Sequence, residues 1–98
     1  MNTIEYINYM LSDEELLCQL AEEASELAQA ALKLRRAMTG DNPTPVTIEQ
    51  ARKNLIEELA DVRLVAEVLN MGTRVKNEID GVAAHKMERW AKRLGGVE

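Results

Sequence analysis

The residues in this sequence best suited to chemistry are carboxylates. They fall in two short runs, Leu20-Ala21-Glu22-Glu23-Ala24-Ser25-Glu26-Leu27 and Leu55-Ile56-Glu57-Glu58-Leu59-Ala60-Asp61-Val62. Side chains three or four residues apart on a helix are neighbours, so each run sets like charges side by side. Grouped carboxylates repel, take up protons, or share a cation. Carboxylate oxygens are hard ligands of the kind Mg²⁺ or Mn²⁺ prefers. The chemistry at stake is therefore a divalent-cation site, and its rival is an ordinary solvated helix face.

The elements that must position these residues are helices. Strand-like alternation is absent, and 3.6-residue periodicity runs through most of the chain. Thr3 to Met10 reads as a short leading helix. Ser12-Asp13-Glu14-Glu15 has the form of a capping box, which starts a long helix running to about Met38. Thr39-Gly40-Asp41-Asn42-Pro43 stops it, and residues 39–46 hold both prolines in the one clear loop. Thr47, with Gln50 as its box partner, begins a second long helix that runs to about Met71 and meets Gly72, expected to end it. A third spans roughly Arg74 to Leu94, with Gly81 as a point where it can bend and Gly95-Gly96 as its end.

Placing residues at about 100° per step separates inward from outward charges. The apolar stripe of the first long helix reads Leu16, Leu20, Ala24, Leu27, Ala31, Leu34 and Met38, with Glu23 at its edge and Glu26 one turn on. Glu22 neighbours Glu26 but points further toward solvent. On the second, the stripe is Ile48, Ala51, Leu55, Leu59, Val62, Ala66 and Leu69. Glu58 falls within about 50° of its centre, with Asp61 next to it. Glu57 points the opposite way. A solvated-face reading suits Glu14, Glu15, Glu49, Glu57 and Glu67, but it fits Glu58 poorly, because an unpaired carboxylate among leucines and valines is costly. If the two helices pack antiparallel along their stripes, Glu23, Glu26, Glu58 and Asp61 converge. Salt bridges to Arg52, Lys53 or Arg63 are a competing account of part of the cluster.

The third helix carries a stripe of Val75, Ile79, Val82, Ala83, Trp90 and Leu94, with Lys86 inside it and Arg89 and Arg93 on its flank. An inward lysine can simply lay its stem over apolar surface and keep its ammonium in water. A lysine and an arginine beside a cation site are also what phosphate oxygens require.

Bulk properties agree with a small helical protein. The 98 residues suffice for a single domain, 1–98. The chain is 46% hydrophobic but has no Phe, so its core is drawn from Leu, Ala, Val and Met, and helices so thin gain stability by association. A net charge of −5 argues against binding a nucleic-acid polymer. One cysteine, Cys18, allows no intrachain disulfide. No stretch approaches the roughly 20 apolar residues of a membrane span, and no signal-peptide pattern opens the chain. A cytoplasmic protein with no membrane partner is expected.

The two acidic runs resemble the EExxE and downstream ExxD motifs of the MazG-like all-α nucleotide pyrophosphohydrolases. His85-Lys86-Met87-Glu88-Arg89-Trp90 resembles the basic KxxR element of their later helix. The likeness covers about residues 12–94, and the spacer from Glu26 to Glu58 is long for the pattern. The resemblance implies an all-α helical bundle completed by oligomerisation, as a homodimer or homotetramer. It implies Mg²⁺-dependent (or Mn²⁺-dependent) hydrolysis of ribo- or deoxyribonucleoside triphosphates to the monophosphate and pyrophosphate, as in nucleotide-pool house-cleaning. Glu23, Glu26, Glu58 and Asp61 would be metal ligands, and Glu22, with Glu23, the catalytic pair, Glu22 as a further ligand or a base for water. Lys86 and Arg89 would bind the phosphate chain.

Two other readings stay open: a non-catalytic helical oligomerisation or adaptor module, and an enzyme resembling the phosphoribosyl-ATP pyrophosphohydrolases. His85 lies off its helix's stripe and is expected at the surface, and a single His excludes paired Glu-x-x-His di-iron sites. Cys18 has no evident base partner. Trp90 is expected in core packing or a subunit interface ahead of base stacking. Asn77 and Asp80 are noted only as residues within reach of a substrate.

Overall fold

Ser12 and Thr47 decide where the two long helices begin. The Ser12 hydroxyl accepts from the Glu15 N–H at 3.1 Å, and the Ser12 N–H donates to Glu15 Oε1 at 3.1 Å. Thr47 and Gln50 make the same reciprocal pair at 3.1 and 3.0 Å. Each box satisfies two N–H groups that the first helical turn leaves without partners.

The computed structural model describes residues 1–40 and 45–96, with the backbone alone at 72 and 73. Four helices follow in order: α1 (Thr3–Met10), α2 (Asp13–Thr39), α3 (Ile48–Thr73) and α4 (Lys76–Arg93). No strand occurs among the described residues, so the all-α expectation holds. Part of the expected 39–46 loop, residues 41–44, lies outside the described residues. Gly40 closes α2 in the left-handed region at φ 71°, where glycine carries no steric penalty.

α3 does not stop at Gly72 as expected. It runs to Thr73, and Arg74 forms its cap at φ 59°, with its N–H on the Asn70 carbonyl at 2.7 Å. The signal for this end was missed because arginine rarely adopts that conformation. α4 is continuous through Gly81 and shows no break there.

α2 and α3 form the body of the fold, and α1 packs on α3. The connection between α2 and α3, residues 40–47, reaches at most about 28 Å when extended. That is shorter than either helix, so they can pack along their length only if antiparallel. Among the described residues, Leu16, Ala30, Ala51 and Val68 are the buried apolar side chains. Asn8 Nδ2 donates to the Val68 carbonyl at 3.0 Å and fixes α1 over the end of α3.

The packed stripe of α2 is shifted from the one expected. Leu16, Leu20, Glu23, Leu27, Ala30, Leu34 and Ala37 are buried or half-buried, whereas Ala24, Ala31 and Met38 are exposed. The steps alternate between four and three residues, the spacing of a seam between two helices in coiled-coil-like contact. On α3 the seam is Ala51, Leu55, Glu58, Val62, Val65 and Leu69, while Ile48 and Leu59 are exposed. Glu23 and Glu58 are therefore members of the seam, and Glu23 is not merely at its edge.

The seam leaves two unlike faces on the α2–α3 pair. At about 100° per residue, Glu22, Glu26, Glu57 and Asp61 fall on one side of it. Leu17, Ala24, Ala28, Ala31, Ile56 and Leu59, all exposed, fall on the other.

α4 departs most from expectation. It packs against no other helix to an extent comparable with α2 on α3 or α1 on α3, and every residue from Lys76 to Trp90 is exposed. Its stripe residues Ile79, Val82, Trp90 and Leu94 face solvent, so Trp90 is not part of a core within one chain. The result is an open shape. The radius of gyration is 17.0 Å, against about 12.6 Å for a compact domain of this length.

Candidate metal centre

Glu23 lies on the second turn-pair of α2 and Glu58 on the middle of α3, and the antiparallel seam brings them together. One carboxylate oxygen from each of Glu23, Glu26 and Glu58 lies within 4.8 Å of the others. Two oxygens bound at about 2.1 Å to one Mg²⁺ are at most about 4.2 Å apart. The cluster thus needs only small side-chain movements to share an ion.

The polar accounting singles out the same pair. Glu23 Oε2 and Glu58 Oε2 are buried and have no hydrogen-bond partner. Buried polar atoms are almost always partnered, so two orphans in one place require a reason. Gln19 Nε2 donates to Glu23 Oε1 at 2.7 Å and holds that carboxylate over the seam. The sequence reading missed Gln19, although its position one turn before Glu23 was the available signal.

Electrostatics follow the burial. The Glu23 carboxyl is pushed above its ordinary pKa, first by desolvation and then by the charges of Glu26 and Asp61, against the opposing Gln19 bond. Glu58 is raised by desolvation, then by Glu26, Asp61 and Glu23. The expected cationic partners are elsewhere. Lys53 pairs with Glu49 at 3.7 Å and Arg63 with Glu67 at 3.0 Å, both along the outside of α3. Among the described residues no lysine or arginine forms an ion pair with Glu23, Glu26, Glu58 or Asp61.

The remaining expected site residues divide. Asp61 is exposed and lies outside the three-carboxylate group, though its charge is felt by both Glu23 and Glu58. Glu22 is exposed and borders a shallow depression on α2 with Ala21, Ser25, Glu26 and Gln29. Lys86 and Arg89 are not brought to the carboxylates within one chain. They line a groove on α4 with Met87, Trp90 and Arg93. The resemblance implied that they bind the phosphate chain, and within one chain α4 has no packing on α2 or α3 comparable with that of α2 on α3.

His85 is exposed, as expected, and Cys18 is exposed as well. Asp80 is held by Lys76 at 2.8 Å, so its carboxylate is engaged on its own helix. Among the described residues, no helix is long and apolar enough to cross a membrane. No family model, curated protein or solved structure matches the chain.

Proposed function

We propose that this protein is a divalent-cation-dependent nucleotide pyrophosphohydrolase of the MazG-like kind. The observation that carries the reading is the pair of buried, unpartnered oxygens of Glu23 and Glu58, with a Glu26 oxygen beside them. An all-carboxylate donor set with no ion-paired lysine or arginine among the described residues fits Mg²⁺ or Mn²⁺. Glu23, Glu26 and Glu58 would hold the ion, with Asp61 as a fourth ligand after a change of its side-chain conformation. When bound, the cation supplies neutralisation of phosphate oxygens and a Lewis acid for the displacement.

The chain's own carboxylates then have separate tasks. Glu22 is solvent-accessible and outside the ligand group, which suits it to accept a proton from water or to act as a further ligand. The attacking water oxygen forms a new P–O bond as the anhydride bond between the α- and β-phosphates breaks. The bonding pair leaves with pyrophosphate. Gln19 keeps Glu23 oriented. Lys86 and Arg89 are the candidates for the phosphate chain. A homodimer or homotetramer is part of this reading, because one chain leaves so much apolar surface uncovered.

That uncovered surface also favours the second reading, a non-catalytic oligomerisation module. One experiment separates them: pyrophosphate release from a panel of ribo- and deoxyribonucleoside triphosphates with Mg²⁺ or Mn²⁺, alongside thermal melts with and without metal. The enzyme reading expects turnover of at least one substrate and a metal-dependent rise in melting temperature. No release from any substrate, with no thermal shift, overturns it.

A further inference from the structure

The two carboxylate oxygens of Glu23 are in unlike states. Gln19 lies one turn before Glu23 on α2, and its Nε2 donates to Glu23 Oε1 at 2.7 Å on the exposed side of the helix. That is short for an N–H···O bond and typical of one made to an ionised carboxylate. Glu23 Oε2 is buried and has no hydrogen-bond partner. A Gln–Glu pair one turn apart is ordinary on a helix surface. This one differs because its acceptor belongs to the α2–α3 seam and faces the unpartnered Oε2 of Glu58.

The other two members of the group are not held in this way. Among the described residues no amide or hydroxyl donates to Glu26 or Glu58. Glu23 is thus the carboxylate whose presentation is fixed by a neighbour, and what it presents is one oxygen. Cations differ in what they ask of such a group. Ca²⁺ takes about six to eight oxygens at about 2.3–2.6 Å and readily binds both oxygens of one carboxylate. Mg²⁺ holds its oxygens at about 2.0–2.1 Å in a strict octahedron and keeps several waters.

We propose that Gln19 is a positioning residue that sets which cation the centre takes. By occupying Oε1 it limits Glu23 to a single ligand oxygen, Oε2, and so favours Mg²⁺ over Ca²⁺. The inference rests on the reading of the carboxylate group as the cation centre of a pyrophosphohydrolase and names the residue that tunes it. Without the Gln19 amide, Glu23 is free to turn and offer both oxygens. Ca²⁺ gains a ligand by that turn, whereas Mg²⁺ loses the support of an oriented carboxylate and gains nothing.

The test compares the two ions on metal-free wild type, Gln19→Ala and Gln19→Leu. Neither variant can donate, and Gln19→Leu keeps most of the stem. Gln19 is exposed, and circular dichroism checks that helicity is kept. Mn²⁺ is the reporter, since its paramagnetic resonance signal is lost on binding, and Mg²⁺ and Ca²⁺ are titrated against it as competitors. The ratio of the two competing affinities is the readout. In both variants it should move toward Ca²⁺ by about tenfold, the lower end of what an outer hydrogen bond to a metal ligand contributes. A looser helix pair would weaken both ions together and leave the ratio alone. A ratio within about threefold of wild type in both variants therefore overturns the proposal, as does a shift toward Mg²⁺. Wild type that binds no Mn²⁺ overturns it together with the metal centre. Turnover is a separate readout: a wild type that releases no pyrophosphate but shows the shift on substitution sinks only the pyrophosphohydrolase reading, and an active one whose ratio ignores Gln19 sinks only the role of Gln19.

Discussion

Glu23 and Glu58 meet across the α2–α3 seam, each with one carboxylate oxygen, Oε2, buried and without a hydrogen-bond partner. Seam positions on either side of them are apolar: Leu20 and Leu27 on α2, Leu55 and Val62 on α3. Two like charges at such positions oppose folding unless a proton or a cation joins them.

Glu58→Gln should therefore raise the melting temperature of metal-free protein, because it removes one charge from the cluster at nearly constant shape. The same change should abolish the rise that Mg²⁺ or Mn²⁺ gives the wild type, together with turnover. Glu57→Gln is the control, since Glu57 is exposed and points away from the seam. Melts of the three proteins in chelator and in millimolar metal decide the matter. Equal responses of the Glu57 and Glu58 variants would remove Glu58 from the site.

The pH dependence of metal-free protein follows from the same pair. Glu23 and Glu58 both have folded-state pKa values raised above the ordinary carboxylate value. Between the ordinary and the raised value the folded state holds more protons than the unfolded one, so stability falls as pH rises through that window. Above it the loss is complete and stability stops changing on their account. Melting temperature should thus decline from pH 4.5 upward in chelator, and the double variant E23Q/E58Q should lack this decline. Bound cation should cancel it in the wild type. An unchanged slope in the double variant would assign the dependence to other groups.

The seam register can be checked by overpacking. Ala30 is 1% exposed and Ala31, its neighbour, is exposed. Ala30→Leu forces a larger side chain between α2 and α3 and should cost about 1–3 kcal/mol. Ala31→Leu should change stability by less than about 0.5 kcal/mol. Urea denaturation of both variants measures the difference, and a reversed order would restore the stripe through Ala24, Ala31 and Met38.

The helices and their starts were legible because they are local. A Ser or Thr followed three residues later by Glu or Gln satisfies its N–H groups with side chains already nearby, whatever the rest of the chain does. Gly40 ended α2 for the same local reason. Arg74 was not legible, since nothing in its own side chain favours a left-handed backbone and only the chain around it holds it there.

Which face of each helix is buried was only partly determined by the sequence. α2 is rich in alanine on two sides, so a hydrophobic wheel cannot separate Ala24 and Ala31 from Ala30 and Ala37. Pairing with α3 made that choice, because close contact follows the alternation of four and three residues. It also drew Glu23 from the stripe's edge into the seam beside Glu58. The residue types and spacings of the five carboxylates, and of Lys86 and Arg89, come from the sequence alone. Only the tertiary structure gathered Glu23, Glu26 and Glu58 and left Asp61, Glu22 and all of α4 outside, because packing, not spacing, sets the distance between residues on different helices.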